Sequence, residues 1–107
     1  MSPVGIPSPL SKEDALELRE QTLSQVLDLI RTVIESDEGY TLNFGRKPEY
    51  IDLIVTFLKI ERLCQPFLRM NLISESNDGP VKLEVSGPTG TKDFMQSEYG
   101  LKRWLDS

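Results

Sequence analysis

A nearly all-apolar run cut short by a proline constrains this chain more than any other feature. Between residues 49 and 63, Tyr50, Ile51, Leu53, Ile54, Val55, Phe57, Leu58, Ile60 and Leu63 leave a narrow polar strip at Asp52, Thr56 and Lys59. A helix that is apolar around most of its circumference has to be covered on more than one side. Pro66 disfavours helical geometry at Gln65 and ends the helix there. From Phe67 to Ser74 the chain alternates as a strand does. Helix gives way to strand at one short joint, Glu61–Leu68, and the single cysteine of the chain, Cys64, sits in it.

The cover for that helix is an upstream helix or the sheet on one side and something else, such as a second copy of the chain, on the other. Ser11 places a side-chain acceptor before Lys12, Glu13 and Asp14, an N-cap followed by acids in the first turn. Leu16, Leu23, Leu27 and Ile30 then recur at helical spacing, while Glu13, Glu17, Glu20 and Asp28 lie off that stripe, which predicts an amphipathic helix over 11–30. The β-branched stretch from Arg31 to Ser36, the turn Asp37–Gly39 and the alternating Tyr40–Phe44 predict a hairpin, with Gly39 supplying the positive φ of a bulged loop. Downstream, Ser76–Gly79 is a turn. Val81, Leu83 and Val85 then alternate with Lys82, Glu84 and Ser86 as a half-buried strand. A short helix is expected from Thr91 to Gln96.

The order is α-β-β-α-β-β-α. An α+β class is expected, with one antiparallel four-stranded sheet and helices mainly on one face. At 107 residues there is room for one domain. Residues 1–10, with three prolines, read as a flexible lead-in, 11–96 as the single domain, and 97–107 as a tail or a short docked helix.

Composition narrows the function more by exclusion. The net charge of −5 and the lack of a basic run argue against a nucleic-acid partner, whose affinity depends on phosphate neutralisation. No apolar run reaches membrane-span length, and the first residues do not resemble a signal peptide; with one cysteine no disulfide can form within the chain, and a reduced, cytoplasmic setting is expected. Histidine is absent, which removes the usual general base and the commonest metal ligand together. No nucleophile with a base and no paired carboxylates are visible, so a non-catalytic protein without a cofactor is expected.

Three segments, Gly39–Phe44, Glu61–Met70 and Gly79–Phe94, resemble in order and spacing a family of small uncharacterised bacterial proteins. Its members carry a segment of the type Glu-Arg-Cys-Cys-Pro-Phe-Leu, then two strands and a Gly-Pro-x-Gly-x-Lys-x-Phe turn. A related segment forms the C-terminal part of some regulators of the mercury-responsive class. The resemblance spans roughly residues 15–95. It implies a thiol pair suited to soft ions, and here this chain departs from the pattern. Cys64 matches the first cysteine, but Gln65 stands in place of the second. A two-sulfur site then requires Cys64 from each chain of a dimer.

The candidate ligand-binding residues are Cys64, Glu61, Arg62, Phe67 and Tyr40. Each has a plainer reading: a buried small thiol, a structural ion pair, core aromatics. The loop Gly87–Lys92 could present backbone N–H groups to an anion, but it lacks phosphate-loop spacing and reads better as a turn with a threonine cap. Two functions remain open. One is a binding or sensing module that takes a soft metal ion or an apolar small molecule near Cys64 and the inner sheet face. The other is an interaction protein, a homodimer formed through helix 49–63.

Overall fold

Ser11 opens the first helix as its residue type requires. In the computed structural model, which describes residues 11–105, its hydroxyl accepts a hydrogen bond from the Asp14 N–H at 3.1 Å, and α1 runs Lys12–Leu29. The lead-in expected at 1–10 lies outside the described residues. After α1 come β1 (Thr32–Glu35), β2 (Gly39–Gly45), α2 (Tyr50–Cys64), β3 (Arg69–Ser74), β4 (Val81–Ser86), α3 (Thr91–Glu98) and α4 (Lys102–Leu105). The class is α+β, and the expected element order is present, with α4 added at the end.

The four strands form one antiparallel sheet in the order β1-β2-β4-β3. Two hairpins are joined where β2 pairs with β4, so the two strands of strongest alternation occupy the centre. Register makes the alternation count. Val33, Leu42, Leu83 and Leu72 form one row across the sheet on the face that meets the helices. The next row, Ile34, Thr41, Glu84 and Asn71, lies on the other face, where Asn71 Nδ2 donates to Glu84 Oε1 at 2.9 Å. At the tip of the second hairpin, Asn77 and Asp78 both take positive φ, 59° and 57°, the turn whose twist matches the flanking strands.

The core lies between sheet and helices. Val26 of α1, Ile54 and Phe57 of α2, Leu42, Phe44 and Leu83 of the sheet, and Met95, Tyr99 and Leu101 near the C-terminus are all essentially inaccessible. Each large apolar side chain hidden in this way contributes about 1.5–3 kcal/mol. The C-terminal stretch therefore belongs to the fold, since Tyr99 and Leu101 are among its deepest residues. No helix of the described residues is long and apolar enough to cross a membrane.

Local expectations need correction at three places. The stripe drawn through Leu16 is rotated: Leu16 is 56% exposed, and the buried face of α1 is Ala15, Thr22, Leu23 and Val26. Arg19, beside that face, reaches Glu61 of α2. Gly39 does not supply a positive φ; a Cβ there would lie 1.8 Å from the Val85 carbonyl oxygen, so glycine is needed for the close approach of β2 to β4. No threonine caps α3: Gly90 is the N-cap, and among the described residues the buried Thr91 hydroxyl has no hydrogen-bond partner.

Candidate functional site

Glu61 lies one turn before the end of α2 and is completely buried. A carboxylate removed from water in this way must be paired and hydrogen-bonded, because the desolvation cost is several kcal/mol otherwise. Its partners come from opposite ends of the sequence. Arg19 of α1 places Nε 2.5 Å from Oε1 and Nη2 3.2 Å from Oε2, a two-pronged contact. The Tyr99 hydroxyl donates to Oε2 at 2.5 Å. Arg19 also donates from Nη1 to Glu98 Oε1 at 3.0 Å, at the end of α3. One carboxylate thus ties together α1, α2 and the segment that follows α3.

Electrostatics within the cluster are mutually consistent. Hydrogen bonding to Glu61 is the main reason that the Arg19 pKa is held even higher than usual, so the guanidinium stays charged. Burial, followed by the Glu61 charge, pushes the Tyr99 hydroxyl well above the ordinary tyrosine range and keeps it a donor. Ala15 is fully buried one turn before Arg19, on the same side of α1.

Cys64 is three residues beyond Glu61 and half-buried. Burial and the Glu61 carboxylate raise its thiol pKa, and the positive charges of Arg19 and Lys12 only partly offset this. The group is therefore a neutral thiol at neutral pH, and the protonated form is a poor nucleophile and a poor ligand for soft ions. Among the described residues no three side chains gather that could hold a metal ion.

Phe67 follows the proline and remains 41% exposed. Its ring meets Phe94 edge-on at 5.2 Å; Phe94 in turn meets Tyr99 at 5.8 Å, and Tyr99 meets Phe57 at 5.9 Å. Such edge-to-face pairs are worth ~0.5–1.5 kcal/mol beyond the area that they bury. The string of rings runs from the surface at Phe67 to the buried carboxylate.

The structure therefore brings together Glu61, Cys64 and, through the aromatic string, Phe67. Arg62 is apart from them: it is exposed and takes part in none of the ion pairs among the described residues. Adjacent helix positions point in different directions, and the arginine that Glu61 uses is Arg19. Tyr40 is also elsewhere. Its ring is buried on β2, its hydroxyl accepts from Gln96 Nε2 at 2.6 Å, and the Lys92 ammonium lies 5.9 Å from the ring centroid, so its polar contacts are with α3. Sequence reasoning passed over Arg19, Tyr99 and Glu98. One signal was present: Arg19 is four residues after Ala15 and three before Thr22, a charge in the middle of a small and apolar helix face. Comparison with family models, curated proteins and solved structures finds no match for this chain.

Proposed function

We propose that this protein is a small non-catalytic binding module, with its ligand held at the helix–strand joint against Cys64 and Phe67. The observation that carries this reading is the partly exposed Phe67 ring, joined through Phe94 and Tyr99 to the buried, hydrogen-bonded Glu61 cluster. A binding surface needs exposed apolar area on a fixed support, because each side chain ordered on binding costs affinity. The raised thiol pKa favours an apolar small molecule over a soft metal ion at this place, since the ion requires a thiolate. A soft-ion site remains part of the reading only where two chains contribute Cys64.

The test is titration of the reduced protein with Zn²⁺, Hg²⁺, arsenite and an apolar fluorophore, each beside Cys64→Ser and Phe67→Ser. Native mass spectrometry on the same samples gives the stoichiometry. Fluorophore binding weakened by Phe67→Ser supports the apolar ligand. Ion binding at one ion per two chains, lost in Cys64→Ser, supports the thiol pair across a dimer. Absence of both discards the joint as a ligand site.

A second reading, a homodimer through α2, is favoured by Val55, Leu58 and Leu63, which the single chain covers only in part. Sedimentation of the protein and of Leu58→Asp tests it. A dimer that dissociates on the substitution supports this reading, and a wild-type monomer at tens of micromolar rejects it.

A further inference from the structure

Cations collect at the other end of α2, although the chain as a whole is acidic. Arg31, Thr32, Asn43, Arg46, Lys47 and Pro80 line a concavity of about 540 Å³ that has no carboxylate in its wall. Volumes of several hundred Å³ are those of small-molecule sites. Among the described residues none of its three cations forms an ion pair, in a protein of net charge −5. Gathering like charges without a counter-charge is unfavourable, and an anion relieves it.

The backbone beneath these cations is shaped to hold them. Arg31 donates its N–H to the Asn43 carbonyl at 2.7 Å, which fixes the start of β1 beside the end of β2. The β2–β4 register slips between Asn43 and Gly45, and Gly45 has φ of +89°. A Cβ at Gly45 would lie 2.8 Å from Arg31 Cδ, so the arginine chain crosses bare backbone there. Asn43 Oδ1 accepts the Gly45 N–H at 2.9 Å, and with its oxygen engaged the side-chain amide offers its NH₂. Two guanidinium groups, an ammonium, an amide NH₂ and the Thr32 hydroxyl therefore present donors, with Pro80 as an apolar wall.

We infer that this concavity binds a small molecule through a phosphoryl group. Guanidinium forks match phosphate oxygens in pairs, and the lysine adds a point charge. The site is independent of the joint, because the 15 residues of α2 place the two about 20 Å apart along the helix axis.

The test is a ¹⁵N-edited NMR titration of the full chain with inorganic phosphate at low ionic strength, set against succinate at matched ionic strength. Saturable shifts are expected at the amides of residues 31–32 and 43–47. Affinity should fall roughly tenfold or more in Arg46→Ala and Lys47→Ala, with unfolding midpoints unchanged because both side chains are exposed. Lys59→Ala, on the exposed strip of α2, should leave the titration as it is. Equal shifts around Arg62 and Arg69, or a titration unaffected by Arg46→Ala, would overturn the site. Succinate binding as tightly as phosphate would overturn the phosphoryl assignment.

Discussion

Glu61→Gln keeps the shape of the most buried polar side chain and removes its charge. In the native protein both carboxylate oxygens are engaged, Oε1 by Arg19 Nε and Oε2 by Arg19 Nη2 and the Tyr99 hydroxyl. A glutamine can accept at one position only, and its NH₂ would face a donor at the other. Removing one partner of a buried ion pair costs about 3–5 kcal/mol, chiefly through the charge left behind. Here the Arg19 side chain keeps 14% exposure and a second carboxylate, Glu98, at 3.0 Å, which lowers the expectation to about 2–4 kcal/mol. For a domain of this size that is a loss of roughly 10–25 °C in Tm. Urea unfolding followed by far-UV circular dichroism and by the fluorescence of Trp104, the single tryptophan, measures it. In Arg19→Met/Glu61→Leu/Tyr99→Phe every buried polar member is replaced together, so no charge or hydroxyl is stranded, and its stability should come within about 1 kcal/mol of wild type or exceed it. A Glu61→Gln loss below about 0.5 kcal/mol would refute the account, and so would a triple variant as unstable as the single one.

Alkaline stability should report Tyr99 directly. Its folded pKa is raised above the unfolded value near 10, so its contribution is complete below about pH 10 and is lost above it, at about 1.4 kcal/mol per pH unit. Tyr99→Phe should lack that part of the slope, and identical pH profiles for the two proteins would rule it out. The Cys64 thiol, raised by burial and by Glu61, should react with a disulfide reagent at pH 8 several-fold more slowly in the folded protein than in urea; equal rates would contradict the assignment. Gly39→Ala should cost about 3 kcal/mol or more, or prevent folding, because its Cβ meets the Val85 carbonyl at 1.8 Å. Hydrogen exchange should then show loosened β2–β4 pairing, and a variant of wild-type stability would mean that the strands can separate there at little cost.

Local signals in the sequence determined the elements and their order. Ser11 with its acids, the apolar run closed by Pro66, the period-two stretches around Leu42 and Leu83, and the Ser76–Gly79 turn each act within a few residues, so they can be read without knowing the partners. They were sufficient for the α+β class and the antiparallel sheet. Cys64, Glu61 and Phe67 were legible as members of the joint for the same reason. The choice of β2 and β4 as the central pair, the rotation of α1 that exposes Leu16, and the clustering of Arg19, Glu61 and Tyr99 were decided by the tertiary structure alone. The strand pairing and the carboxylate's contacts join residues 36 to 47 positions apart, and no propensity or period encodes which distant residue will meet a buried carboxylate. A charge on the apolar face of a helix announces that a partner exists; only packing decides that the partner is Glu61 rather than its neighbour.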